Sequence, residues 1–232
     1  MAGAAPVLDL IGALPDAAST GLPAVALDLQ LLPGQCALIE ARDPSLATDF
    51  ADLCCGMLPL RQGCVRFLGR DWSEMSDELA QAMRGRIGRL HGAGHWIGFL
   101  GTDANILLSQ LHHTRRPEAA LRDAAAEVAR LFGLPGLPLT RPEALTNADL
   151  ARAACVRTFI GEPLLLILAA PEQEQVTDLV GSLLSALAVA RDRQAAVIWL
   201  TRSDIVWGDR SFPATVRLRL ADRGLAPQRA AA

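Results

Sequence analysis

The side chains of this 232-residue chain best suited to metal or nucleophile chemistry are four histidines and five cysteines. His91 and His95 stand four apart, a spacing that on a helix would place two imidazoles on one face as metal ligands. They fall in a glycine-rich stretch instead, so no metal is assigned to them. His112 and His113 are adjacent and read as surface residues pointing in different directions. Cys36, Cys54, Cys55, Cys64 and Cys155 form an odd set with no C-x-x-C pair. Most lie in apolar stretches, as buried free thiols of a reducing compartment do. A zinc site on Cys54, Cys55 or Cys64 lacks the usual ligand spacing. Glu172 and Glu174 follow a short apolar run and read as solvent-facing. No coherent nucleophile–base pair is present, so no catalytic residue, cofactor or metal is expected. All 22 basic residues are arginines: the chain contains neither lysine nor tyrosine.

The elements that would position these groups follow from hydrophobic periodicity. Ala24 to Leu32 alternates as a strand, Pro33-Gly34 turns the chain, and Cys36 to Glu40 reads as a buried strand. Ala41 to Asp49 comes next, then a helix from Phe50 to Cys55 ended by Gly56. Cys64 to Leu68 is expected as a strand, and Ser76 as the cap of a helix reaching Arg84. Ile87 to Leu90 is a short strand. Pro117 to Phe132 repeats Ala120, Leu121, Ala124, Val128 and Leu131 at helical spacing, with Gly133 closing it. Ala148 to Ile160 and Val176 to Arg191 are helical; Leu164 to Leu168 and Ala196 to Leu200 read as buried strands. Val216 to Leu220 with Arg223-Gly224 forms a terminal hairpin. This alternation predicts an α/β fold with a mainly parallel sheet.

A hydrophobic content of 51% permits a sizeable core in one domain spanning 1–232, with the two helices between about 117 and 160 as an insertion and residues 227–232 as a disordered tail. A net charge of -3 gives no reason to expect nucleic acid. The N-terminus lacks a basic leader, and the longest uncharged apolar stretch, Pro163 to Pro171, is too short to cross a bilayer. The chain is therefore expected to reach a membrane only through a partner, without direct insertion.

The order of elements, and several short segments within them, resemble the ATP-binding subunits of ABC transporters along nearly the whole chain. Leu31-Leu32-Pro33-Gly34-Gln35 with Ala37-Leu38-Ile39 is similar to the lead-in to that family's phosphate loop. Cys55 to Pro59 and Gln62 to Val65 resemble the family's segments on the C-terminal side of that loop. Arg86 to Leu90 is similar to the strand before the glutamine loop, and Thr102-Asp103-Ala104-Asn105-Ile106 to the threonine-to-asparagine segment. Pro142 to Leu145 leads into the signature position, and Arg152 to Pro163 resembles the signature helix. Gly92-Ala93-Gly94 before His95 is most similar to the Mla-type subfamily, which moves phospholipids in bacterial envelopes. The resemblance implies a P-loop NTPase-like core, an N-terminal antiparallel β part and an inserted helical subdomain at about 93–160.

The family's chemical stations are degenerate here. Its phosphate loop needs glycines, so that backbone N–H groups converge on phosphate, and a lysine for the terminal phosphates. Glu40 to Asp49 contains no glycine, Ala47 stands where the lysine belongs, and Thr48 is the next residue. Pro44 removes a donor, Glu40, Asp43 and Asp49 would repel phosphate, and Arg42 reads as a solvated surface residue. Ala169 and Ala170 replace the magnesium ligand and the general base. Gly92 aligns with the loop glutamine and Arg202 with the switch histidine. Leu145-Thr146-Asn147-Ala148-Asp149 replaces the signature, with Thr146 or Asn147 as a helix cap and Asp149 adding negative charge.

Such cassettes act in pairs, so the resemblance implies that pairing with an intact second ABC-type subunit would damage both composite sites. It also implies docking of an integral-membrane, permease-like partner beside the glutamine loop, here His95, Trp96, Ile97, Phe99 and Leu100; alternatively Trp96 and Phe99 fill the local core. The expected function is a non-catalytic subunit of a membrane complex, linked to lipid transport, cytoplasmic and peripheral to the inner membrane. The alternative is a soluble scaffold that reuses the fold elsewhere.

Overall fold

The computed structural model describes residues 4–16, 20–91, 95–174, 176 and 178–227. Two sheets form the framework. The first has the order β2-β1-β4-β5 and is antiparallel, with β1 at Leu8–Pro15, β2 at Leu27–Leu31, β4 at Leu60–Phe67 and β5 at Arg70–Asp71. The second has six strands, with β3 at Cys36–Glu40, β6 at Ile87–Leu90, β7 at Leu165–Ala169, β8 at Ala196–Thr201, β9 at Val216–Ala221 and β10 at Gly224–Pro227. Its order is β10-β9-β3-β8-β7-β6. The five strands β9 to β6 run parallel, and β10 closes the edge as the antiparallel arm of the expected hairpin.

β3 and β8 are buried along their whole length because both faces of this sheet are covered. On one face lie the antiparallel sheet with helices α1 (Pro44–Cys54) and α2 (Asp77–Arg84), forming a core with Leu8, Leu10, Ile39, Phe50, Phe67, Ile167 and Ile198. On the other lie α3 (Thr102–His113), α4 (Glu118–Leu131), α5 (Asn147–Phe159) and α6 (Leu179–Asp192), packed on Leu38, Leu166, Leu168, Val197 and Trp199. A short α7 (Asp204–Gly208) comes after β8. No helix among the described residues is long and apolar enough to cross a membrane.

Several boundaries differ from the sequence expectation. Helix α1 starts at Pro44 rather than Phe50: proline fits the first helical position, and Asp43 caps it by accepting from the Ser45 N–H at 2.8 Å. β1 carries a bulge between Leu10 and Ala13, where Gly12 adopts φ +54° and donates its N–H to Asp28 at 2.7 Å. That bulge breaks the alternation by which a strand is recognised. β2 is shorter than Ala24 to Leu32, and β4 is longer than Cys64 to Leu68 and stops before Leu68, whose φ of +51° leaves the strand region. α6 starts at Leu179 rather than Val176. The family-like segment Thr102 to Ile106 is the start of a full helix, Thr102–His113. Pro227 is not in a tail but pairs with Leu218; residues 228–232 lie outside the described residues.

Candidate functional site

The parallel strands end together at one edge of the sheet, where α/β folds place their ligands. There β3 passes into α1 through only three residues, Ala41-Arg42-Asp43. Most of the stretch aligned with a phosphate loop is therefore helix. The helix N-terminus, the natural anion cradle of such a junction, is capped by the chain's own carboxylate. Pro44 offers no N–H, and Asp43 accepts from both the N–H and the hydroxyl of Ser45, each at 2.8 Å. Those two bonds hold the Asp43 carboxyl below its ordinary range. Ala47 is buried in the core beneath the sheet and Thr48 is exposed, its hydroxyl bonded to the Pro44 carbonyl at 3.1 Å. Asp49 accepts from the Gly21 N–H at 2.6 Å and the Thr20 hydroxyl at 3.0 Å, tying down the preceding loop.

Glu40, at the tip of β3, is only 2% exposed. Arg42 meets it at 3.0 Å and reaches Asp204 at 2.9 Å, and Arg219 of β9 meets its other oxygen. Arg42 is thus exposed but paired, rather than simply solvated.

At the ends of β7 and β8, Ala169 and Ala170 offer no side-chain oxygen for a cation; Ala170 takes φ +45° and donates its N–H to the Leu200 carbonyl at 2.8 Å. Glu172 does not face solvent as expected. It turns back to accept from the Thr201 hydroxyl at 2.6 Å, the Trp199 indole at 3.2 Å and the Arg202 N–H at 3.3 Å. A carboxylate that gathers three donors ties the two strand ends together. The Arg202 side chain is exposed, and the side chain of Glu174 lies outside the described residues.

The α5 start is capped by Thr146, whose oxygen accepts from the Asp149 N–H at 3.1 Å while its hydroxyl donates to the Asp149 carboxylate at 2.9 Å. Asn147 is exposed at the first helical position. Gly92 lies outside the described residues. Of the segment 95–100, His95 and Phe99 are exposed, while Trp96, Ile97 and Leu100 are half-buried. Trp96 packs on the helical core with the Arg157 guanidinium 4.5 Å from its ring; Phe99 fills no core, at 79% exposure. The sequence reading missed Asn105 and Arg157 as organisers of this segment.

His91 and His95 come together edge to edge, ring centres 4.8 Å apart, and His112 and His113 likewise at 4.7 Å rather than diverging. Burial, reinforced by Arg89, His95 and Arg157, pushes His91 down to about 3 from its ordinary 6.5. The folded state thus keeps a neutral imidazole that the unfolded chain protonates. Stability should rise with pH between these two values and be lost as pH falls through them. His91→Asn should narrow the gap between urea midpoints at about pH 4 and about pH 7; an unchanged gap would show that other groups govern the acid limb. The thiols of Cys36 and Cys55 are raised by burial to about 11 and that of Cys54 well above its usual value, so they stay protonated at neutral pH. Among the described residues no three histidine, cysteine or acidic side chains converge on a metal position. A cleft of about 630 Å³ between α4 and α6 holds none of the predicted site residues.

The residues at the strand ends do not fit a magnesium-bound nucleotide. Phosphate would meet Asp43 on the helix N-terminus, with no lysine to receive its charge, and magnesium would meet alanines.

No known family model matches the chain. It is 27% identical over 161 residues, 69% of its length, to the intermembrane phospholipid transport system ATP-binding protein MlaF of Haemophilus influenzae. That match spans 61% of the relative's length. In structure the chain superposes on the dimeric bacterial ABC-transporter cassette MJ0796 with a TM-score of 0.80, covering 94% of this chain and 96% of that one. It also superposes on cbiO1 of Clostridium perfringens, part of the cbiONQ transporter complex, with a TM-score of 0.73 over 95% and 86%. Both are 14% identical, a likeness of fold alone.

Proposed function

We propose that this chain, which has the ABC-transporter ATP-binding cassette fold and a weak Mla-like sequence character, is a non-catalytic cassette: a structural or regulatory subunit of a membrane complex. The observation that carries this reading is the β3–α1 junction. It has neither glycine nor lysine, and Asp43 occupies the helix N-terminus on which a nucleotide's phosphates would rest. The alanines at 169 and 170 point the same way. The subunit would sit on the cytoplasmic side, held to the inner membrane by a permease-like protein docked at 95–100, alone or beside a second ABC-type subunit. Similarity to MlaF supports a connection with lipid transport.

The chemistry is tested with the purified protein. A ligand at a hundredfold its dissociation constant stabilises a fold by about 2.7 kcal/mol, a shift of several degrees in Tm. Saturating magnesium-ATP should leave Tm unchanged and yield no phosphate above a blank. A reproducible rise in Tm, or turnover that survives re-purification, would overturn the non-catalytic reading. The assembly is tested by gentle isolation from native membranes and identification of stoichiometric partners by mass spectrometry. A permease, with or without an intact cassette, is the expected partner; recovery of soluble proteins only would assign the fold to a scaffold.

A further inference from the structure

Ahead of α3, residues 95–101 are tied together chiefly by one side chain. Asn105, in the first turns of α3, is 4% exposed and commits its whole amide to loop backbone. Its oxygen accepts from the Ile97 N–H at 2.8 Å, and its nitrogen donates to the Ile97 carbonyl at 3.1 Å and the Gly101 carbonyl at 3.0 Å. The Leu100 N–H closes the turn onto the Ile97 carbonyl at 3.0 Å. Below, Arg157 stacks on Trp96 and donates to the His95 carbonyl at 3.2 Å. His95, Ile97 and Gly101 are thereby fixed from within, and Gly98 and Phe99 are left exposed. Thr102 draws a second segment to the same edge through the Thr140 carbonyl, bonded by its N–H at 2.9 Å and its hydroxyl at 2.7 Å. That segment carries Leu139, itself 69% exposed.

A buried amide is costly unless every bond is made, and here the bonds serve only to fix a loop whose tip is an aromatic ring in water. We propose that Asn105 is the positioning residue of the docking loop and that Phe99 is its contact group, Leu139 being a second exposed apolar side chain on the segment bonded to Thr102. Trp96, Ile97 and Leu100 then belong to the support rather than to the contact surface. The inference rests on the reading of 95–100 as the permease-docking segment. It makes partner binding depend on a residue that touches no partner. Loss of the Asn105 amide lowers the fraction of molecules with a competent loop, and apparent affinity falls by that fraction.

The test uses the full chain, sedimented with native membrane vesicles and, in parallel, with liposomes of the extracted lipids. Phe99→Ala should lower vesicle binding about tenfold and leave amide exchange at 97–101 unchanged, as loss of an aromatic anchor does. Asn105→Ala should lower binding as far while Phe99 is intact, and speed exchange at the Ile97 amide about tenfold or more. Asn105→Asp keeps an acceptor but loses the donors. Measured against the parent at the same pH, it should bind weakly near about pH 8 and recover near about pH 5, where a protonated carboxyl donates again. This variant keeps the inference testable should the alanine variant fail to fold. Full binding by Asn105→Ala alongside loss in Phe99→Ala would overturn the role of Asn105 and leave the docking reading standing. Full binding by Phe99→Ala would remove the docking loop itself, and equal binding to lipid-only liposomes would replace the protein partner with a lipid surface.

Discussion

Replacing Arg42 and Arg219 together by methionine should destabilise the fold, measured as a lowered urea midpoint at constant slope. The reason is Glu40, a carboxylate only 2% exposed whose oxygens are held by these two guanidinium groups. The arginines themselves are 71% and 57% exposed, so most of the cost lies in the carboxylate left behind rather than in attraction lost. Arg42→Met alone should cost less, since its other contact, to Asp204, joins two exposed side chains. Adding Glu40→Met to the double variant should restore most of the loss, because the buried charge is then gone. A double variant within about 0.5 kcal/mol of the parent would mean that water already reaches Glu40.

How much of this was legible in the sequence depended on whether the information was local. β3, β7 and β8 are continuous apolar runs, and burial on both faces of a parallel sheet gives no other pattern. The last hairpin was legible because Gly224, at φ +95°, comes after an alternating strand. α3 was not, because its inward face mixes Asn105 and Gln110 with Ile106 and Leu107 and so shows no clean apolar stripe. The buried Gln110 amide donates to the Gly85 carbonyl at 3.4 Å, a partner 25 residues away. Pro44 reads as a breaker from its neighbours alone, whereas in place it is the first residue of α1. The candidate site shows the same division. That the chain has no lysine and carries alanine at 169 and 170 is a matter of residue identity. That Asp43 covers the helix N-terminus, and that Glu172 turns back onto donors 27 to 30 residues away, depends on the folded backbone.

Gly88→Ala should be among the most damaging single changes, costing about 3 kcal/mol or more, although it adds one methyl group. Its φ is ordinary, so the cause is not strain but space. A Cβ there would lie 2.1 Å from the Thr158 carbonyl oxygen and 2.8 Å from a Leu166 methyl. The first neighbour is backbone of α5 and cannot swing aside as a side-chain end could. β6 and α5 are this close because Thr158 also donates its hydroxyl to the Arg89 carbonyl at 3.1 Å, pinning helix to strand. Arg157, next to Thr158, carries the Trp96 and His95 contacts, so pushing α5 outward should also loosen the loop that presents Phe99. Gly98→Ala supplies the control: its Cβ would meet nothing within 4 Å, and its stability should stay within about 0.5 kcal/mol of the parent. Melting temperature together with hydrogen exchange at 95–101 reads both effects. If Gly88→Ala melts like Gly98→Ala, the helical layer is not pressed on β6. If it melts early but leaves exchange at 95–101 unchanged, α5 supports the fold without supporting the loop.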